Sequence, residues 1–198
     1  MTKTELLYEH YKDSNTILRD AQYQRELYMR SLFILEAVNF IFLYKQDFVV
    51  KTVNGILKSY NVGIESIADL SQILQIIMWI LISYFLVGYF QKNIYIERQY
   101  GYINDLENEI AKIGGVRSFN RESSNYSKEY PLFLNLVDIF YKIIIPILFL
   151  IVHTIKIISE LNDVHNLSWW VCIFKVLVYL WTIMIIIPYL HKMKKSIS

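Results

Sequence analysis

The stretch from Leu70 to Phe90 reads LSQILQIIMWILISYFLVGYF and holds no charged residue in its 21 positions. An α-helix rises about 1.5 Å per residue, so a segment of this length can cross a hydrocarbon core of about 30 Å. An uncharged apolar run this long is typical of a transmembrane helix rather than of a soluble core. This stretch therefore predicts a membrane-spanning helix and sets the class of the fold.

The composition of the whole chain agrees with that prediction. Of the 198 residues, 55% are hydrophobic and only 19% are charged, and the mean hydropathy is +0.31. Six glycines and three prolines leave little material for turns, which favours long helices over many short strands. A disordered chain is excluded, and a conventional soluble enzyme is not expected.

Two more long apolar runs predict spans. Ser168 to Leu190 contains a single charge and begins with two tryptophans, which are common at membrane interfaces. Leu136 to Ile158 is equally long, and Pro146 should kink it. The charges inside these two runs are Asp138, Lys142, Lys156 and Lys175.

The first apolar run is the least certain in length. Ser31 to Tyr44 covers only 14 residues and contains Glu36. Alone it could be a re-entrant or core helix, whereas continuation through Phe48 and Val50 gives the 20 residues that a span needs. We expect it to be the first of four spans.

Basic residues give the orientation of these four spans. The two tails and the segment between the second and third spans hold 14 lysines and arginines, against three on the other side. Because cytoplasmic loops are enriched in such residues, we expect a multi-pass protein of the bacterial inner membrane with both termini in the cytoplasm. The fold class is all-α, an integral membrane four-helix bundle with long cytoplasmic helical extensions.

This topology divides the chain into five parts. They are a cytoplasmic amphipathic helix (1–30), spans 1 and 2 with an external loop (31–90), a cytoplasmic helical stalk and linker (91–131), spans 3 and 4 (132–190) and a basic cytoplasmic tail (191–198).

Both cytoplasmic segments carry an apolar stripe with helical spacing. We expect the helix from Leu70 to continue to Ile113 and to stop at Gly114-Gly115. Its stripe can pack on the N-terminal helix of the same chain, form a coiled coil between subunits, or bind a soluble partner. The stripe consists of Ile96, Tyr100, Ile103, Leu106, Ile110 and Ile113.

Ionisable residues within the spans are the strongest functional signal, because each costs about 2.5–3.5 kcal/mol at mid-helix on insertion scales. They either form internal ion pairs, Asp138 with Lys142 and Glu36 with Lys175, or surround a pore axis in an oligomer, with Glu36 as first choice. His153 has only Lys156 one turn away, which favours a structural role over a proton relay. The candidate pore or buried-charge residues are Glu36, Asn39, Gln72, Gln75, Asp138, Lys142 and Lys175.

Catalytic signatures were sought and not found. The sequence has no HExxH or GxSxG motif and no phosphate-binding glycine loop, its four histidines lack metal-ligand spacing, and Cys172 is its single cysteine. We therefore expect no enzyme activity, no cofactor and no metal. The net charge of +2 is too small to predict direct nucleic-acid binding.

Two segments carry a resemblance to a functional class. Tyr95 to Glu107 (YIERQYGYINDLE) and Asn120 to Pro131 (NRESSNYSKEYP) flank spans in a layout that resembles small multi-pass membrane proteins of bacterial antiphage operons. Examples are the membrane accessory proteins of type VI CRISPR systems and the membrane component of the Kiwa system. The resemblance implies a homo-oligomeric effector, such as a pore or ion channel, that permeabilises or depolarises the membrane on a cytoplasmic signal. The alternative is a non-conducting anchor or sensor that docks a soluble cytoplasmic defence protein.

Overall fold

The computed structural model describes residues 3–60, 67–115, 132–162 and 169–197, and every regular element in these ranges is helical. Among them, three helices are long and apolar enough to cross a membrane, or four if α1 and α2 count as one bent span. The predicted linker, residues 116–131, lies outside the described ranges. The elements are α1 (Lys3–Tyr44), α2 (Gln46–Ser59), α3 (Ile67–Gly114), α4 (Leu132–Ile139), a π-helical turn (Phe140–Ile144), α5 (Ile145–Asn162) and α6 (Trp169–Ile197).

The longest helix, α3, confirms the prediction that the helix of the Leu70–Phe90 run continues without a break to the glycine pair. α3 has 48 residues and ends at Gly114. Gly115 follows with a φ of +63°, the left-handed conformation that commonly terminates helices and that residues with a Cβ adopt only at a cost.

The first apolar run ends earlier than its predicted length. α1 stops at Tyr44, and Lys45 has non-helical dihedral angles. Residues 31–50 are therefore not one continuous helix, and the predicted first span exists only if α1 and α2 together form one bent span. The physical reason is amphipathic packing, because α2 turns its apolar face inwards and buries Val50 with Phe42 and Leu70.

The chain forms two compact units. The first contains Met1–Leu27, Gly88–Ile147 and Tyr189–Ser198, and the second contains Tyr28–Val87 and Leu148–Pro188. Helices α1 and α3 therefore contribute residues to both units.

In the first unit, α1 and α3 pack as an antiparallel pair within one chain. Lys3 contacts Glu109, the Tyr11 hydroxyl donates to Glu107, and the Gln22 amide donates to Tyr100. The residue numbers of the α3 partners decrease along α1, so the two helices run in opposite directions. The apolar stripes meet between these contacts, with Tyr11, Leu18 and Ala21 on one side and Ile96, Ile103 and Ile110 on the other. Of the three predicted packings, this is the intrachain pair. The stripe suggested as a partner face is thus covered, except Ile113, which is exposed.

A π-helical turn lies just before Pro146, the position at which the sequence predicts a kink. A proline has no N–H and its ring clashes with the carbonyl four residues earlier, which is that of Lys142. In the structure the Ile145 N–H donates to Phe140, five residues back. In this register the backbone donor for the Tyr141 carbonyl would be the N–H of residue 146, and a proline has no N–H. The Tyr89 hydroxyl of α3 donates to that carbonyl instead.

A double-mutant cycle tests this compensation. Tyr89→Phe should lower the free energy of unfolding by about 1–3 kcal/mol, because it leaves a buried carbonyl without a donor. In a Pro146→Ala background, position 146 regains an N–H, and the same change should cost less than half as much. Denaturant unfolding in micelles, followed by circular dichroism, measures both costs. Equal costs in the two backgrounds would show that Tyr89 does not replace the missing N–H.

The helix pair allows a test with a matched control. Ile103 is fully buried between α1 and α3, whereas Ile113 on the same helix is 41% exposed. Ile103→Ala should destabilise the folded state by about 3 kcal/mol, and Ile113→Ala by less than about 1 kcal/mol. Thermal unfolding of the two variants in the same detergent compares them. Equal shifts would contradict the intrachain pairing.

Candidate functional site

The second unit encloses a cluster of charges contributed by three helices. Its five ionisable side chains are only 2–12% exposed. They are Glu36 of α1, His153, Lys156 and Glu160 of α5, and Lys175 of α6. We call this set, together with the neutral side chains that bind it, the charge cluster.

Glu160 forms one half of the charge cluster. Its carboxylate lies 3.2 Å from the Lys175 ammonium and 3.7 Å from that of Lys156, one turn earlier on α5. The Trp79 indole N–H of α3 lies 3.3 Å away and donates to the same carboxylate, and Lys175 also donates to Gln75. One acidic residue therefore binds two cations and an indole, and it joins α3, α5 and α6.

Glu36 and His153 form the other half. His153 Nδ1 lies 2.7 Å from the Phe149 carbonyl and 3.5 Å from the Glu36 carboxylate. The Asn39 amide nitrogen donates to Glu36 at 3.1 Å, and its amide oxygen accepts from Lys156. Asn39 thus connects the two halves, and the contacts run without interruption from Lys175 to His153.

Electrostatic balance makes this arrangement possible in an apolar bundle. With His153 neutral, the two carboxylates and two ammonium groups of the charge cluster sum to zero formal charge. Lys156 gains a further contact, because its ammonium lies 4.5 Å from the centre of the Trp79 ring. Even so, a paired charge in a low-dielectric interior is no more stable than a well-packed apolar substitute. A gain in stability therefore does not by itself explain why the charge cluster is present.

The first unit holds a smaller set of charges around Lys142 in the π-helical turn. Its ammonium lies 2.5 Å from Asp138 and 2.5 Å from Glu97. The predicted Asp138–Lys142 pair is present, and Glu97 of α3 joins it. This set ties α3 to the turn that precedes Pro146.

The remaining predicted residues have different outcomes. The structure pairs Glu36 with His153 and Lys175 with Glu160, so the predicted Glu36–Lys175 pair is wrong. Asn39 and Gln75 do belong to the charge cluster. Gln72 is half-buried on α3, three positions before Gln75. Glu36 points into the bundle of its own chain. In a ring of Glu36 residues around the pore axis of an oligomer, this side chain would instead have to face other copies.

Sequence reasoning did not connect Lys156, Glu160 and Trp79 with one another, and it favoured a structural role for His153 over a proton relay. A signal was present, because His153, Lys156 and Glu160 are spaced three and four apart and so share one face of a helix. Their partners lie on other helices, and single-helix spacing contains no information about them.

The site brings two carboxylates, two ammonium groups and an imidazole together among apolar helices. Among the residues that the structure describes, no group of three or more His, Cys, Asp or Glu side chains could hold a metal ion. Compared with family models, curated proteins and solved structures, the chain matches none of them. Its function is therefore argued from this geometry.

Charge balance in the cluster gives a testable stability effect. Lys175→Met leaves the charge cluster with one excess negative charge and should lower the free energy of unfolding by about 3 kcal/mol. The double variant Glu160→Gln/Lys175→Met restores zero formal charge and should recover more than half of that loss. Lys192→Met, at an exposed position of the same helix, serves as the control and should change stability by less than about 0.5 kcal/mol. Glu160→Gln alone completes the cycle, with all free energies measured by denaturant unfolding in micelles. If the double variant loses as much stability as the two single variants together, Glu160 and Lys175 are not coupled.

Proposed function

We propose that the protein is a multi-pass effector of the bacterial inner membrane that controls the passage of ions through its charge cluster. The observation that carries the proposal is the burial of five ionisable side chains among apolar helices. Ionisable groups at such positions are costly and commonly mark ion paths and relays. The absence of a stability gain from paired buried charges favours a functional reason for keeping them.

The contacts of the charge cluster favour a closed resting state. Each carboxylate is held by side chains of its own chain, and no ionisable side chain of the set is more than 12% exposed. Passage of an ion then requires these contacts to separate, which a cytoplasmic signal in the cell or an imposed voltage in a vesicle can bring about. The inward position of Glu36 favours a path within one chain over a ring of Glu36 residues around an oligomer axis.

The antiparallel helix pair of the first unit supplies a route for the signal. α1 and α3 are single helices that contribute to both this pair and the charge cluster. A ligand that separates or twists the pair would act on the same two helices that carry Glu36 and Trp79. On the topology derived from the basic residues, this pair lies in the cytoplasm, where a signal of infection would arise.

The rival function, an anchor that docks a soluble partner, loses its main support. The apolar stripe assigned to that partner is occupied by α1, with Ile103 fully buried. A docking protein would have to displace α1 or use the polar outer face of the pair. We therefore favour ion passage and retain the anchor as an outcome of the experiment.

Flux through reconstituted vesicles tests the proposal. Wild-type protein in liposomes should dissipate a potassium diffusion potential, read with a voltage-sensitive dye. Glu36→Gln should slow this dissipation about tenfold, which is equivalent to a barrier about 1.4 kcal/mol higher. The reason is that the path loses a carboxylate that, among the described residues, forms no ion pair with a lysine. Glu9→Gln, on an exposed part of α1, should retain the wild-type rate.

The contrary outcomes are distinct. If wild-type vesicles hold their potential at every imposed voltage, as empty vesicles do, ion passage is refuted and the anchor becomes the better reading. If Glu36→Gln and Glu9→Gln conduct alike, the path lies elsewhere in the bundle. Native mass spectrometry of the same preparation gives the number of copies.

A further inference from the structure

We propose that the charge cluster binds and releases a proton at the Glu36–His153 pair, so that the ion whose passage it controls is the proton. This inference rests on the proposed function and names the transported species.

Among the described residues, one ring nitrogen of His153 has a hydrogen-bond partner and the other has none. The Phe149 carbonyl can only accept a hydrogen bond, so its 2.7 Å contact assigns the proton to Nδ1. Nε2 then presents a lone pair. It is buried and has no hydrogen-bond partner among the residues that the structure describes. A neutral imidazole in this tautomer is a proton acceptor enclosed by apolar helices.

The neighbourhood is suited to the protonated form as well. Glu36 Oε1 lies 3.5 Å from Nδ1, is buried, and accepts no hydrogen bond from the described residues. When Nε2 takes a proton, the imidazolium faces this carboxylate, and the charge of the cluster rises from zero to +1. Transfer of the Nδ1 proton to Glu36 gives a carboxylic acid and a neutral imidazole protonated at Nε2. The total charge is unchanged by that step, and release of the proton from Glu36 returns the site to zero charge.

The other charged and polar groups around the pair come from every helix of the site. α1 supplies Asn39, α3 supplies Gln75 and the edge of the Trp79 ring, α5 supplies Lys156 and Glu160, and α6 supplies Lys175. Lys156 opposes a positive charge on His153, and Glu36 and Glu160 favour it.

The free ligands in the charge cluster discriminate against metal cations. A bound cation such as Ca²⁺ or Mg²⁺ needs about six oxygen ligands. Both Glu160 oxygens already face lysine ammonium groups, and the second Glu36 oxygen accepts from Asn39. One carboxylate oxygen is left, which is too few for a metal ion. A proton needs a single lone pair, and His153 Nε2 offers one.

The two halves of the charge cluster also differ in how firmly they are neutralised. Glu160 faces two lysines, whereas the one ion-pair partner that the described residues give Glu36 is His153. Imidazole is the side chain whose ordinary charge change falls between pH 5 and 8. Proton uptake is therefore assigned to the Glu36 half, and the Glu160 half holds the helices together.

The experiment uses Trp79 as an optical reporter. Its ring lies edge-on to the His153 ring, with centroids 5.3 Å apart, and a protonated imidazole quenches the fluorescence of a nearby indole. In a Trp169→Phe/Trp170→Phe/Trp181→Phe background, acidification of proteoliposomes should reduce the Trp79 emission. His153→Gln should abolish this change, and His191→Gln, at an exposed position of α6, should retain it. Glu36→Gln is expected to move the titration to lower pH, because the imidazolium loses its neighbouring carboxylate.

Flux measurements on the same vesicles separate this inference from the proposed function. Vesicles loaded with a pH-sensitive dye should show proton entry that His153→Gln reduces at least tenfold and His191→Gln leaves unchanged. Passage of potassium or sodium with no proton entry would overturn the inference and leave the proposed function standing. A Trp79 emission that is independent of pH would also overturn the proton site. Vesicles tight to every ion would overturn the proposed function and, with it, proton transport.

Discussion

The ammonium groups of Lys156 and Lys175 can lie inside an apolar helix bundle only because Glu160 is there to bind both of them. That carboxylate is within 3.7 Å of each lysine and also accepts the Trp79 indole N–H. A buried charge without a partner would cost several kcal/mol. The relative positions of α3, α5 and α6 are therefore restricted to those that bring these four side chains together. Asn39 extends the restriction to α1 through its bond to Lys156.

The same rule governs the backbone around Pro146. A carbonyl in an apolar environment needs a donor, and proline removes one from its own helix. Because of the π-helical turn, the carbonyl that lacks a backbone donor is that of Tyr141, and the Tyr89 hydroxyl of α3 donates to it instead. Lys142, in the same turn, is placed between Asp138 and Glu97. The π-helical turn is thus bound to α3 by one hydrogen bond and one ion pair. Because Pro146 causes the turn, the proline determines how this segment packs on α3.

Sequence reasoning succeeded where a property belongs to one helix and failed where it depends on several. The Asp138–Lys142 pair follows from a spacing of four, and the end of α3 follows from Gly114-Gly115. The buried stripe of α3 was also evident, although its partner was left open. The break at Lys45 has no proline or glycine to announce it, because the packing of α2 on Phe42 decides it. Likewise, the Glu36–His153 contact joins residues 117 positions apart.

The physical cost of the charge cluster is itself an argument about function. Leucine or methionine at these positions would fill the same space without any need for pairing, and buried ion pairs replaced in this way usually leave a protein as stable or more so. Glu160 and its two lysines can be understood as a device that fixes helix packing. The Glu36–His153 pair leaves one carboxylate oxygen and one imidazole nitrogen without a hydrogen bond from any residue that the structure describes, so helix packing alone does not account for it. The part of the charge cluster that helix packing explains least is thus the part proposed to bind and release a proton.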